Sequence, residues 1–363
     1  MESQITIEKA KYSRIKEVDF TNIPFGRIFS DHMFMADYYD GAWRDFRIVP
    51  FGKFPFHPAT SALHYGQSIF EGLKAYKSIH GEVQLFRPQK NIERLNKSAR
   101  RMAMPEFPED IFFRALNELM RLDHAWIPSN DEGSLYIRPL MFATDEYVGI
   151  KPSDNYRLII FTCPVGPYYD KPVKVWMDDR FVRAFPGGVG TAKAAGNYGA
   201  TLYAVKLARA RGYDQLLWLD GIEHRYLQEI GTMNVFFQID ECLVTPTLEE
   251  GTILEGITRD SVITLLREEG VEVQERRVTV DEIFEAYDKG LLKDAFGTGT
   301  AATISQIAEI GYKDKKIILN QLAADRYSSM LKEKLEDIKR SKIPDRYNWM
   351  YRIETSVAAS KSK

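Results

Sequence analysis

Cysteine is scarce in this chain. Cys163 and Cys242 are the two that occur among 363 residues, and they form no CxxC pair. Such widely separated cysteines are expected to be buried thiols in a reducing cytoplasm rather than a disulfide. No run of about 18 apolar residues is present, so no transmembrane helix is expected. The first residues resemble neither a signal peptide nor a transit peptide, so the predicted location is the cytoplasm.

An excess of one charge sign is also lacking. The formal net charge is −2, and no strongly basic block stands out. Nucleic acid and membrane surfaces are therefore excluded as main partners. The six histidines show neither HxH nor HExxH spacing, so no catalytic metal is expected. Gly187–Lys193 is not a P-loop, and the chain has neither a GxSxG elbow nor a GxGxxG turn that opens a βαβ unit.

What is present is an ordinary globular composition, 44% hydrophobic and 28% charged, in a chain long enough for two domains. Apolar spacing and turn residues predict alternating strands and helices. In the first half, strands 34–38 and 43–49 are predicted to form one hairpin and strands 73–79 and 83–86 a second. These are followed by helices that begin near Pro88 and after Pro108 and by strands 134–142 and 156–163. The second half is predicted to contain a helix from Tyr198 that ends before Gly212, strand 215–219, a strand over 227–239 that is interrupted near Gly231-Thr232, a helix over 259–270 and a helix over 323–340.

A segment with three prolines and a glycine, Pro164–Pro172, is the best candidate for a linker, because it suits neither regular element. We therefore predict an N-terminal domain over 1–165, a linker over 166–175 and a C-terminal domain over 176–363. The predicted fold class is α/β (α+β), with two lobes and a cleft between them.

The segment Gly187–Ala200 says most about function, because it places Lys193 between two glycine-rich turns. A lysine serves as a covalent amine when it is partly desolvated or lies near other cations. The small neighbouring residues would let a flat group lie against the backbone, which suits a Schiff base to an aldehyde cofactor. A solvated lysine in a surface loop would show the same pattern. The choice between a Schiff-base lysine and a solvated lysine therefore depends on the rest of the chain.

Pyridoxal phosphate at Lys193 would make three further demands. Its phosphate needs backbone amides and a cation. The candidates for the amides are the turns 256–259 and 296–302, each of which resembles a glycine-rich turn before a helix, and the candidate for the cation is Arg87. Its ring nitrogen needs a carboxylate, for which Glu229 in an otherwise neutral run is favoured. Its phenolic oxygen needs a donor, and Tyr198 can supply one. Each of these residues also has an ordinary structural explanation: turn geometry, a surface ion pair, a solvated strand edge, or a packed tyrosine.

Six segments, in order along the chain, resemble branched-chain amino-acid aminotransferases. They are HYGQSIFEGLKAY, SLYIRP, GGVGTAKAAGNYG, EIGTMNVFF, LEGITRDS and FGTGTAA, and the resemblance covers about Phe29 to Ala308. This family consists of fold-type-IV pyridoxal-phosphate enzymes. The resemblance implies a smaller N-terminal lobe, a larger C-terminal lobe and an obligate homodimer.

The resemblance also implies roles for individual residues. Lys193 would be the Schiff-base lysine and proton shuttle, Tyr198 the donor to the ring oxygen, and Glu229 the partner of the ring nitrogen. The other cofactor positions implied are Arg87, the amides of Ile257 and Thr258, Thr300 and Arg183. The substrate positions implied are Tyr65, Phe70, Tyr136, Arg138, Tyr168, Thr232 and Ala301.

These roles imply reversible transfer of the amino group of L-leucine, L-isoleucine or L-valine to 2-oxoglutarate, by a ping-pong mechanism through pyridoxamine phosphate. Aromatic walls would hold the aliphatic side chains, and Arg138 would meet the second carboxylate of glutamate. Ala302 and Ser305 stand where some family members carry a redox CxxC pair, so thiol regulation at that turn is not expected. The alternatives are a D-amino-acid aminotransferase or aminodeoxychorismate lyase of the same fold, and a non-catalytic protein that keeps the cofactor site.

Overall fold

The structure is a computed structural model that describes residues 4–129, 133–169, 171–320 and 326–354. The chain divides into two compact units. The first takes residues up to Tyr168 together with those from Glu336 onward, and the second is Tyr169–Leu335. Within the described residues, each unit is built on a nine-stranded sheet. The predicted two-domain α/β class is confirmed.

The elements alternate along the chain much as the sequence pattern predicts. In chain order they are β1 (Thr6–Ile7), β2 (His32–Tyr39), β3 (Ala42–Pro50), α1 (Ser61–Tyr65), β4 (Ser68–Phe70), β5 (Leu73–Lys77), β6 (Val83–Phe86), α2 (Pro88–Arg101), α3 (Glu109–Asp123), β7 (Ser134–Ala143), β8 (Tyr156–Val165), β9 (Val173–Met177), α4 (Ala195–Gly199), α5 (Leu202–Ala210), β10 (Gln215–Leu219), β11 (Leu227–Ile230), β12 (Asn234–Ile239), β13 (Cys242–Thr245), α6 (Ile257–Glu268), β14 (Val273–Glu275), α7 (Val280–Asp288), β15 (Leu292–Gly299), β16 (Thr303–Tyr312), β17 (Lys315–Ile318), α8 (Tyr327–Lys339) and β18 (Met350–Ile353).

The sheet of the first unit has the order β1-β3-β2-β8-β7-β5-β6-β18, and β4 pairs with β7. All its pairs are antiparallel except β1 with β3. Asp40 and Gly41 both adopt left-handed backbone angles, as the tight turn between β2 and β3 requires. α2 packs against β4 and α3 against β2, and the spaced apolar residues of both helices are buried. These predicted hairpins and helices are confirmed.

The sheet of the second unit has the order β11-β10-β9-β16-β15-β12-β13-β14, and β17 pairs with β16. It is mixed, because β9 runs parallel to both β10 and β16 while most other pairs are antiparallel. Apolar side chains from these strands and from α7 form one buried core. The predicted break in strand 227–239 is confirmed, since β11 and β12 are separate strands of this sheet.

The helix predicted from Tyr198 to Gly212 is two short helices instead, α4 and α5. The hydroxyl of Thr201 donates to the carbonyl of Tyr198 at 2.8 Å, and such side-chain bonds compete with helical ones. α6 begins two residues earlier than predicted and ends at Glu268, followed by left-handed Gly270. The predicted helix 323–340 is described from Tyr327, and its first residues lie outside the described part of the chain.

The boundaries of the two units differ from the predicted domains. The division between Tyr168 and Tyr169 falls inside the predicted linker, but β9 already begins at Val173. Residues from Glu336 onward belong to the first unit, because β18 pairs with β6. The first unit is therefore the longer of the two, where a smaller N-terminal lobe was expected.

No helix in the described ranges combines the length and the apolar character that crossing a bilayer needs.

Candidate active site

The loop that carries Lys193 is held in one shape by its own polar contacts. Asn197, in α4, donates from its Nδ2 atom to the carbonyls of Val189 and Ala192, both at 2.9 Å. Gly190 lies so close to the Thr252 carbonyl that a Cβ atom would sit 2.4 Å from it, so only glycine fits there. Lys193 is half-buried, and its Nζ atom donates to the Tyr198 hydroxyl at 2.9 Å. The structure thus brings these two predicted residues together.

Glu229 is a buried carboxylate, with 6% of its surface exposed. Its Oε1 atom lies 3.0 Å from Nε of Arg183, and both side chains are almost fully buried. Its Oε2 atom accepts from the Leu254 amide at 3.1 Å and from Asn234 Nδ2 at 3.3 Å. A solvated glutamate at a strand edge is therefore excluded, and the desolvation of this carboxylate is offset by a cation and two donors.

Arg183 connects the lysine loop to this carboxylate. Its Nη2 atom donates to the Gly190 carbonyl at 3.2 Å and to the Thr252 carbonyl, while its Nε atom faces Glu229. The role of Arg183 was open at the level of sequence. In the structure it fixes the position of Glu229 relative to the loop that bears Lys193.

Asn234 is a positioning residue that sequence analysis did not single out. Its amide nitrogen donates to the Leu254 carbonyl at 3.0 Å as well as to Glu229. A Cβ atom on Gly256 would lie 1.9 Å from Asn234 Oδ1, so glycine at the start of α6 lets the helix approach. The available signal was an amide in the apolar run Met233–Phe237, because a buried amide needs partners.

The two predicted phosphate turns both lie next to Asn234, but they differ in the secondary structure that follows them. The first precedes α6, whose first residues include buried Ile257 and Thr258, and a helix N-terminus favours an anion. The second was expected to resemble a turn before a helix. This is wrong, since Gly299 ends β15, Thr300 and Ala301 lie in a turn, and β16 follows.

Thr232 lies beside that second turn. A Cβ atom on Gly299 would be 3.1 Å from the Thr232 carbonyl, and Asn234 is in register with Thr298. The hydroxyl of Thr298 is buried and has no partner among the described residues.

The second unit therefore contains an amine, a phenol, a buried carboxylate, a helix N-terminus and threonine hydroxyls. This donor set fits the amine, ring nitrogen and phosphate requirements of pyridoxal phosphate.

In the first unit, Tyr136, Arg138 and Phe70 form a cluster. Arg138 Nη2 donates to the Tyr136 hydroxyl at 3.0 Å, and the guanidinium lies 4.7 Å from the centre of the Phe70 ring. Arg138 Nε is buried without a partner among the described residues. A Cβ atom on Gly72 would lie 2.1 Å from the Tyr136 hydroxyl oxygen, so glycine makes room for this ring. A desolvated guanidinium with spare donors suits a carboxylate ligand.

Aromatic contacts extend this cluster to Tyr168 through Phe25, which sequence analysis missed. The Phe25 ring lies 5.3 Å from that of Tyr136 and 4.7 Å from that of Tyr168, both edge-on. Phe25 precedes the segment that carries the family resemblance, which begins at about Phe29. No local signal identifies it, because the contacts depend on how distant strands pair.

Arg87 and Tyr65 lie elsewhere in the first unit. Arg87 sits between β6 and α2 and has a left-handed backbone, with φ of 51°. It is 8% exposed, and its guanidinium lies 5.1 Å from the centre of the Trp349 ring. Tyr65 ends α1 and is 41% exposed.

The two cysteines are free, as predicted, but Cys242 is only half-buried whereas Cys163 is buried. Within the described ranges, no group of three or more His, Cys, Asp or Glu side chains is arranged to hold a metal ion.

Comparison with known proteins gives a consistent result. A family profile described as amino-transferase class IV matches residues 68–310. The chain is 45% identical over 345 residues to branched-chain-amino-acid aminotransferase 2 of Bacillus subtilis, covering 94% of each chain. Among solved structures, the branched-chain amino acid aminotransferase of Escherichia coli superposes with a TM-score of 0.73 at 26% identity, covering 88% of this chain and 99% of that one. The branched-chain amino acid aminotransferase of Thermobaculum terrenum in its PLP-bound holo form superposes with a TM-score of 0.70 at 26% identity, covering 88% and 98%.

Proposed function

This chain belongs to the class IV aminotransferase family, and we propose that it is a branched-chain amino-acid aminotransferase that uses pyridoxal 5'-phosphate. In this proposal it transfers the amino group of L-leucine, L-isoleucine or L-valine to 2-oxoglutarate in a reversible ping-pong reaction. The observation that carries the proposal is the buried contact of Arg183 with both Glu229 and the loop of Lys193.

The second unit supplies the groups for chemistry. When bound, the cofactor withdraws electrons from the α-carbon of the amino acid. Lys193 would anchor the cofactor through its amine and carry the proton at that carbon, and Tyr198, whose hydroxyl accepts from this amine, would donate to the ring oxygen. Glu229 would hold a proton on the ring nitrogen, and Arg183 and Asn234 keep this carboxylate in position. We assign phosphate binding to the start of α6, to Thr300 and to Arg87.

We assign substrate recognition to the remaining predicted residues. The rings of Phe70, Tyr136 and Tyr168, with Phe25 beside them, offer the apolar contact that an aliphatic side chain needs. Arg138 offers a cation for the second carboxylate of glutamate. The other positions in this assignment are Tyr65, Thr232 and Ala301.

Arg138→Ala is expected to separate the two half-reactions. Because truncating one partner of a desolvated charge pair costs about 2–5 kcal/mol, kcat/KM with glutamate should fall about 30-fold or more, and kcat/KM with L-leucine only a few-fold. Single-turnover rates with each amino acid measure this, and exposed Arg44→Ala serves as the matched control. Equal losses with both amino acids would remove the proposed role of Arg138.

An absorbance spectrum of the purified holoenzyme tests the function directly. L-Leucine should abolish the visible band of the bound cofactor, 2-oxoglutarate should restore it, and D-alanine should leave it unchanged. A response to D-alanine alone would instead favour a D-amino-acid aminotransferase. A yellow protein inert to every amino acid would favour a binding protein without catalysis.

We further propose a cytoplasmic homodimer. The two free cysteines suit a reducing compartment. Apolar side chains in the first unit are unusually exposed, including Leu63 at 65%, Val148 at 69% and Ile150 at 92%. A second copy of the chain would remove such surface from water.

A further inference from the structure

A group of buried cations in the first unit has no place in the chemistry described so far. Lys74 in β5, Lys339 at the end of α8 and the adjacent Arg340 are 7%, 3% and 4% exposed. Glu336 lies 3.0 Å from Lys339 and 3.8 Å from Arg340. The charges of Lys339, Arg340 and Glu336 all act on Lys74, which therefore has two cations and one carboxylate among its neighbours.

The cluster adjoins the residues assigned to the substrate. In the sheet, Lys74 is in direct register with Tyr136, and Tyr136 with Cys163. Residues opposite each other in an antiparallel pair point to the same face. Lys74 therefore shares a face with Tyr136, whose hydroxyl contacts Arg138.

Cys163 lies opposite Tyr136 in the sheet and therefore shares this face with both cations. Burial raises the pKa of Cys163 to about 11, and the charges of Arg138 and Lys74 oppose the rise, as does a bond from the Gly26 backbone. One thiol thus lies within electrostatic reach of both Arg138 and Lys74.

We propose that Lys74 is a specificity-determining positioning residue, whose ammonium group strengthens binding of dicarboxylate substrates at the Tyr136–Arg138 face. The proposal rests on the proposed function, in which glutamate and 2-oxoglutarate carry a second carboxylate that the branched-chain substrates lack. A dianion gains more than a monoanion from one additional nearby cation, so the effect discriminates between the two substrate classes.

The charge of Lys74 depends on pH near neutrality. Burial, and then the positive charge of Lys339, lowers the pKa of Lys74 to about 7, while Glu336 opposes the shift and Arg340 adds to it. The titratable and charged groups that face Lys74 are Tyr76 of its own strand, Tyr136 and Arg138 of β7, Cys163 of β8, and Glu336, Lys339 and Arg340 at the end of α8.

The sign of the effect follows from that pKa. Below it Lys74 is charged and dicarboxylates bind well; above it the ammonium charge is lost and their affinity falls. Monocarboxylate affinity should change little over the same range. Glu336→Gln removes a negative charge that favours protonated Lys74, so the fall should move to lower pH.

The experiment uses unreactive ligands with the holoenzyme, so that binding is measured without turnover. The dissociation constants of glutarate and 4-methylpentanoate are determined between about pH 6.5 and 9 for the wild type, Lys74→Met, Lys74→Arg and Glu336→Gln. Lys77→Met is the matched control, since Lys77 lies on the same strand but alternates to the opposite face.

At the lowest pH, Lys74→Met should lower the affinity for glutarate about tenfold and change the affinity for 4-methylpentanoate less than about twofold. It should also abolish the pH dependence of glutarate binding. Lys74→Arg should retain the affinity at every pH, because arginine stays charged. Equal weakening of both ligands by Lys74→Met would overturn the proposal, since that result indicates packing alone.

If Lys74→Met does not fold, the proposal is tested with Glu336→Gln instead. If the pH dependence of glutarate binding in Glu336→Gln is the same as in the wild type, the proposal is overturned. The proposed function is checked separately by the response of the wild-type spectrum to L-leucine. A wild type that fails this check refutes the function, whereas a wild type that passes while Lys74→Met shows no selectivity refutes only the inference about Lys74.

Discussion

Replacing Lys193 with alanine is expected to abolish both the visible band of the bound cofactor and almost all turnover. The Nζ atom is the amine that the structure holds against the Tyr198 hydroxyl in a loop fixed by Asn197. Without it the proposed covalent anchor and the proposed proton shuttle are both lost. Loss of a group that acts within a catalytic unit typically lowers kcat by about 10⁴-fold or more. Absorbance spectra and single-turnover rates with L-leucine measure both effects.

The matched control for this variant is Lys206→Ala, because Lys206 is a lysine on α5 of the same unit, outside the lysine loop. It should keep the band and the rate. The unfolding transition of Lys193→Ala should remain near that of the wild type without cofactor, since Lys193 is only half-buried and the loop is held by Asn197 rather than by the amine. Substantial turnover in Lys193→Ala would refute the assignment.

Glu229→Gln is expected to have the second large effect, on both stability and turnover. Glutamine keeps the shape of the side chain but leaves Arg183 buried beside a neutral group. Breaking a buried ion pair in this way costs about 3–5 kcal/mol, so the free energy of unfolding should fall by about 3 kcal/mol. The ring nitrogen also loses its counter-charge, and kcat should fall by about 10²–10³-fold.

A second substitution separates these two effects. In the double variant Arg183→Met, Glu229→Gln, no unpaired charge remains, so urea unfolding should recover part of the lost stability. Turnover should not recover, because the carboxylate is still missing. Exposed Glu223→Gln is the matched control and should leave both measurements unchanged. Recovery of turnover in the double variant would show that Glu229 acts through stability alone.

Much of the fold was predictable because the deciding signals are local. The turn at Asp40-Gly41 needs two left-handed residues, and Asp-Gly is one of the residue pairs that adopt this conformation most readily. The helix that begins at Pro88 follows from proline at its first position and from apolar spacing. The split between α4 and α5 was missed because apolar spacing does not report a side-chain bond such as the one from the Thr201 hydroxyl to the Tyr198 carbonyl, which lies at the split.

The site was predictable where a residue type is unusual in its surroundings. Lys193 among small residues and Glu229 in a neutral run are conspicuous in the sequence. Phe25 and Asn234 are not, because their importance lies in contacts with residues far away in the chain. Lys74 and Arg340 belong to this second class, since only strand pairing and the position of α8 bring their charges together.

The short strand β18 has a consequence for how the protein is made. It supplies the last edge of a sheet whose other strands all precede residue 166, and it is translated after the whole of the second unit. Until it leaves the ribosome, β6 presents open hydrogen-bonding groups that invite pairing with other chains. A nascent polypeptide or a prematurely stopped fragment is therefore expected to expose that edge, and the first unit is completed only after the whole of the second unit has been translated.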